Sequence, residues 1–353
     1  TNLQAWGGRL LALWEASQPH AVDPVTLDTI GVDTLRGVLR PGCPFGTSFP
    51  AIDDLLNKAG AGISGDTLTA HPHVDHSSGR LVAFGYKVLA GPGGLSTTFT
   101  FYEVDEDFNL LHRVPYTVDG FAFVHDFGFT ENYYVFFQNP VDLDMVPVLT
   151  GAKGAGQTIS YNPRRPTLVH LVPRPEAKPG TEAHVVEVAP GFVFHVANTY
   201  EEAMGKEGAV CIVIDAVQTD GLVLWPGKRW GQPGFNYRTD TTPEDLRNTP
   251  RSTLHRYTLK PGSSGTATVQ QIDRREVEFP HVAGARFGRP HRYTYACASK
   301  HKSRISPLQA LIKFDMDTGA QDRWVYPADC FVAEPIFAPA KGLGTAGEDD
   351  GFL

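Results

Sequence analysis

The feature that most limits how this chain can fold is a texture repeated from one end to the other. A short apolar run rich in Val, Phe, Tyr and Thr gives way to a polar turn, and the next short run begins. Strands are expected at 9–15, 81–89, 98–104, 121–127, 133–138, 185–188, 192–196, 210–214, 252–259, 266–273, 292–298 and 310–315, because such residues suit a pleated, half-buried surface. Asp23, Asp75, Asp105 and Asp315 each close a run and open a turn, since Asp accepts turn geometry at little cost. The pattern recurs loosely every ~40–60 residues, as repeated antiparallel sheet units would, and suits a β-propeller better than a sandwich. Thirty-six Gly and 27 Pro among 353 residues favour many turns over long helices; the two short helices expected are 51–58 and 242–248. No linker or composition break divides the chain, so residues 1–353 read as one all-β domain.

The charge balance is 31 basic against 39 acidic residues, net −8, without a long block of either sign. That leaves no electrostatic footprint for nucleic acid. Cys43, Cys211, Cys297 and Cys330 are scattered and read as thiols of a reducing compartment, cytoplasm or plastid, rather than a disulfide framework. No apolar run reaches the roughly 20 residues of a spanning helix, and no signal-peptide pattern opens the chain. A soluble protein, or one lying on a membrane surface, is expected. Both ends read as cut: the chain starts at Thr1 almost within a strand and stops two residues into another after Glu348-Asp349-Asp350-Gly351. A fragment of a longer protein is the expectation.

Thirteen histidines are present, and three neighbourhoods matter. In Thr69-Ala70-His71-Pro72-His73-Val74-Asp75-His76, strand alternation puts His71, His73 and Asp75 on one face. They could form a metal site that begins like a two-His, one-carboxylate triad, or a polar turn with exposed imidazoles. His125 and His195 each lie among apolar and aromatic residues. A buried imidazole must have its nitrogens satisfied, either by core hydrogen bonds or by a shared metal. Separations of 54 and 70 residues exclude a local motif; only a fold that gathers different sheets at an axis would unite them. No nucleophile elbow, phosphate loop or dinucleotide fingerprint is present, and the carboxylates are not paired informatively for glycoside chemistry.

Six stretches, in order along the chain, together resemble the carotenoid cleavage oxygenases: Trp6 to Glu15; Thr69 to His73; His125 to Tyr133; Phe194 to Glu202; Glu278-Phe279-Pro280 through Gly288 to Tyr293; and Glu334-Pro335-Ile336-Phe337 followed by Glu348 to Gly351. The resemblance implies a seven-bladed propeller, incomplete in this chain, with ferrous iron on its axis held by four histidines. Three map to His71, His125 and His195. Carboxylates that orient the ligand rings map to Glu15, Glu278 and Glu334, with Glu15 serving His125 and Glu278 serving His195. His73 and His76 then become turn residues. The fourth ligand is expected beyond Leu353, and the N-terminal part that starts the propeller is expected to be missing too.

The implied reaction is oxidative cleavage of a polyene double bond by O2, giving two aldehyde or ketone products, with no protein general base. The lipophilic substrate would enter an apolar tunnel, and peripheral membrane contact is a family habit. Stilbene cleavage, retinoid isomerisation and a non-catalytic propeller remnant are the competing readings.

Overall fold

The computed structural model describes residues 2–42, 65–91, 94–204, 209–222, 249–261, 267–302, 308–327, 329–340 and 347–353. It is all-β. The chain gathers into two compact units: Thr1–Phe127 with Val172–Pro179, and Gly128–Leu171 with Gly180–Leu353.

The first unit holds two four-stranded antiparallel meanders. One runs β1 (Asn2–Trp6), β2 (Arg9–Leu13), β3 (His20–Val22), β4 (Thr29–Val32); the other runs β5 (His73–Asp75), β6 (Arg80–Gly91), β7 (Gly94–Val104), β8 (Leu110–Asp119). The β1–β2 hairpin closes on Gly7 and Gly8, both at positive φ (53° and 71°), the geometry of a two-residue turn matched to strand twist. Gly7 is required twice over, because a Cβ there would lie 2.3 Å from the Glu106 carbonyl oxygen and 2.6 Å from the Phe108 ring. The Trp6 indole N–H donates to the Asp105 carbonyl at 3.0 Å and ties the hairpin to the turn after β7. Leu11, Leu13, Leu81, Ala83, Tyr102, Val104 and Phe108 form the core between these strands.

The second unit holds three more four-stranded sheets. The first joins β9 (Gly128–Phe129), β10 (Tyr133–Gln138), β13 (Thr167–Pro173) and β14 (His184–Val188) in the order β14-β13-β10-β9. Between β10 and β13 come the hairpin β11 (Val141–Leu143) and β12 (Ile159–Tyr161) and a helix, α1 (Met145–Leu149), capped by Asp144. The other two are meanders: β15 (Phe192–Met204) through β16 (Ala209–Thr219), β17 (Ser252–Leu259) and β18 (Ala267–Gln271), then β19 (Val277–His281) through β20 (Tyr293–Ser299), β21 (Leu308–Asp315) and β22 (Gln321–Val325). A short ladder of β23 (Ala338–Pro339) and β24 (Gly351–Phe352) follows. All five larger sheets are four-stranded units of the kind that serve as propeller blades.

The four Asp turns close as the residues suggested. One carboxylate oxygen of each Asp accepts backbone N–H groups two to four residues on: Val25 and Thr26 at Asp23, Ser77 at Asp75, Asp107 and Asn109 at Asp105, Asp317 and Thr318 at Asp315. This is the local alternative to a strand ladder that Asp offers the backbone. Three expectations need revision or fall elsewhere. Residues 121–127 form no strand; the segment is irregular up to Gly128. Strand β8 was not anticipated because Pro115 and its exposed alternate positions disguise it, yet an edge strand tolerates both. Helices 51–58 and 242–248 lie outside the described residues, and α1 is the only α-helix among those described.

Candidate metal centre

In the first unit, His71 sits on extended chain just ahead of β5, buried, its N–H donated to the Thr69 hydroxyl at 3.0 Å. His125 lies in the irregular segment before β9. Their Nε2 atoms are 3.1 Å apart, with ring centroids separated by 4.8 Å and tilted by 58°. Glu15, in the turn after β2, sets the tautomer: its Oε1 lies 2.9 Å from His125 Nδ1. A carboxylate at Nδ1 holds a proton there, so Nε2 is the atom that can present a lone pair. Burial works to raise the Glu15 carboxyl, but the hydrogen bond from His125 outweighs it and holds the group below its ordinary range. Its second oxygen, Oε2, is buried without a hydrogen-bond partner among the described residues.

These observations test whether a cation suits the site. Imidazole–metal bonds of ~2.0–2.1 Å would put two ligands at right angles about 2.9 Å apart, close to the 3.1 Å seen between the two Nε2 atoms. A positive ion on the far side of His125 would also offset the negative charge of the half-satisfied Glu15. The donor set fits a divalent metal.

The second unit repeats the device. His195 lies on β15 where the ladder with β16 shifts register, and this irregularity frees the strand to aim one side chain differently. Its Nδ1 is 2.7 Å from Glu278 Oε2 on β19. The same oxygen accepts the Phe279 N–H at 2.9 Å. Phe279 holds φ at +54°, in a region L-residues rarely adopt, and its ring lies 5.1 Å from the His195 ring. Backbone strain of this sort clusters at functional sites. Glu334 lies in the irregular stretch after β22, near Cys297, whose thiol is pushed up to about 12 by burial and then by the charges of Glu334 and Glu278.

Two sequence expectations change. His73 is not a turn residue: it opens β5, and its Nε2 is 3.0 Å from Asp126 Oδ1. Asp75 is not aligned with it as a ligand, because the Asp75 carboxylate bonds Ser77 and the buried Arg174. The satisfied core histidine occurs at His170, stacked on Phe136 at 4.7 Å, bonded to Gln138 Oε1 at 2.9 Å and pushed down to about 4 by burial.

Sequence reasoning missed a buried polar network that starts on β15 just beyond His195. Asn198, three residues on, donates to the carbonyls of Arg286 and Arg289 and accepts the Gly288 N–H. It also meets His291, which in turn lies 3.2 Å from the fully buried Asp215; Asp215 takes a two-pronged bond from Arg256 at 2.8 Å. Asn198 and His291 both stood inside conspicuous motifs, but Asp215 and Arg256 carried no local signal.

The sequence pattern of the retinal pigment epithelial membrane protein family matches residues 1–353, the entire chain. The chain belongs to that family. Among its relatives, the apocarotenoid-15,15'-oxygenase of Synechocystis is 36% identical over 359 residues, covering 100% of this chain and 63% of that protein. Carotenoid cleavage dioxygenase 7 of Oryza sativa is 28% identical, again covering 100% and 63%. Resveratrol cleavage oxygenase 1 of Aspergillus fumigatus is 27% identical, covering 99% and 64%. A crystal structure of the cobalt-substituted Synechocystis enzyme matches this family member with a TM-score of 0.78 and 33% identity, over 99% of this chain and 64% of that one. The chain thus spans a little under two thirds of the length of the curated relatives it matches.

Proposed function

We propose that this chain carries the metal-binding part of an oxygenase that cleaves a C=C bond of a carotenoid or apocarotenoid, with ferrous iron held by His71, His125 and His195. The observation that carries the reading is a pairing made twice: a carboxylate on His Nδ1, Glu15 for His125 and Glu278 for His195. Each pairing leaves Nε2 as the ligand atom. In this reading the two units are parts of one propeller domain of seven blades, with the ion on its axis and Glu334 orienting a fourth imidazole.

Ferrous iron bound by neutral imidazoles would supply a cationic centre with open positions for O2 chemistry. The chain's own residues have other tasks. Glu15 and Glu278 hold the Nδ1 protons in place, which fixes the tautomer and the orientation of both rings. Phe279 packs against the His195 ring and limits its tilt. The overall change balances without further reagents: one C=C and one O2 become two C=O groups. No reductant is consumed, and no side chain gains or loses a proton overall.

The 36% identity to an apocarotenoid oxygenase, against 27% to a resveratrol-cleaving relative, favours an apocarotenoid over a stilbene. The test is to load the full-length gene product with Fe(II) and incubate it in air with an apocarotenal and, separately, with a stilbene. Aldehyde products from the apocarotenal, absent after His125→Ala, are expected. Neither iron retention nor any cleaved product would overturn the reading; cleavage of the stilbene alone would reassign the substrate.

A further inference from the structure

We infer that His73 and Asp126 form a clasp that positions the His71 and His125 rings without either touching the metal. The inference rests on the reading that these two histidines hold the ion. It starts from a weakness in the backbone. His71 lies two residues ahead of the first ladder pair of β5, His73 with Val82. His125 lies in a segment, 121–127, with no strand ladder at all. Neither ligand is therefore fixed by sheet hydrogen bonds, and side-chain contacts must set where each imidazole points.

The clasp supplies such a contact at the right places. His73 is two residues from His71, and Asp126 is next to His125. The His73 Nε2–H donates to Asp126 Oδ1 at 3.0 Å. The same oxygen accepts the Phe127 N–H at 2.7 Å, so the carboxylate grips both the strand and the backbone just after His125. The Asp126 side chain is 3% exposed and that of His73 17%, which shields the bond from competing water. Beneath it lies a rigid aromatic floor. The His73 ring rests 5.2 Å from Phe127, which packs edge-on to Phe84 at 5.2 Å and also meets Phe101. Such a pair adds little net stability, since desolvation offsets much of the attraction; what it contributes is geometry. His73 and Asp126 are thus positioning residues.

The test measures metal binding on the full-length protein, with Fe2+ under anaerobic conditions and Co2+ as the spectroscopic probe. His73→Leu should weaken affinity about 10-fold, the lower edge of what outer partners of metal ligands contribute, and should shift the visible Co2+ bands. His73→Gln, which keeps an N–H near the same place, should restore most of the affinity and the native spectrum. Combining His73→Leu with Asp126→Asn should be no worse than His73→Leu alone, because one contact is being removed twice. Native affinity and spectrum in His73→Leu would overturn the clasp while leaving the metal assignment standing. Loss as severe as that of His71→Ala would overturn it too, by making His73 a ligand. Failure of the unsubstituted protein to bind either metal would remove the ligand reading and the clasp with it.

Discussion

Arg174 offers the sharpest test of how the first unit is held together. It follows β13 in the chain, yet its contacts place it in the first unit. Its side chain is 8% exposed; Nε donates to Glu103 Oε1 at 2.9 Å and Nη2 to Asp75 Oδ2 at 3.0 Å. Glu103 is 1% exposed and receives a second cation, Arg80, on its other oxygen at 3.0 Å. Replacing Arg174 by Met removes two charge-assisted bonds of ~1.5–3 kcal/mol each. Breaking a buried ion pair from one side costs about 3–5 kcal/mol by a separate route, and the two figures agree. Arg80 still covers Glu103, so the lower half, about 3 kcal/mol, is the working value. That is a large share of a typical domain's stability.

The sign of the pH dependence follows from Asp75. Burial works to raise its carboxyl, but bonds from Ser77 and Arg174 outweigh that and leave it below the usual range. A depressed carboxylate stabilises the fold above its unfolded pKa and loses that contribution as pH falls through the folded value. The gap between Arg174→Met and the native protein should therefore be widest near pH 7 and narrow below about pH 4. Denaturant titration followed by tryptophan fluorescence at both pH values measures it. A cost under about 1 kcal/mol at pH 7, or a gap that widens in acid, would refute the argument.

Three further outcomes are expected. Glu278→Gln should reduce metal affinity about 10- to 100-fold with little change in folding, measured by competition with a chelator; unchanged affinity would separate Glu278 from the His195 tautomer. Gly7→Ala should destabilise by about 2 kcal/mol or more, combining left-handed strain with the clash against Glu106 and Phe108, and thermal unfolding near the native midpoint would contradict this. Asp215→Ala should cost about 3–5 kcal/mol, because Arg256 loses both of its bonds to a fully buried partner; a urea midpoint close to native would show that the network is dispensable.

Much of the fold was legible because its signals are local. The Asp turns at Asp23, Asp75, Asp105 and Asp315 depend on one side chain reaching its own backbone, and strands such as β10 and β17 announce themselves by β-branched and aromatic content. The irregular run 121–127 misled for the same reason: Phe121-Ala122-Phe123-Val124 has strand composition, but whether a ladder forms depends on a neighbour that composition cannot name. β8 was lost the other way, because an exposed edge lacks an apolar signature.

The candidate centre divides along the same line. Residue types and the family resemblance pointed to His71, His125, His195, Glu15 and Glu278 before any coordinates. The resemblance also paired Glu15 with His125, as the structure has it; two things only the tertiary structure decided: that His73 turns to Asp126, and that Arg174 takes Asp75 away from any metal. Hydrogen bonds between residues so distant in sequence leave no periodic trace, since each partner needs only to be a common polar residue at the point where two sheets or turns happen to meet. Chemistry of single side chains can be read along a chain, whereas their pairing is a property of the fold.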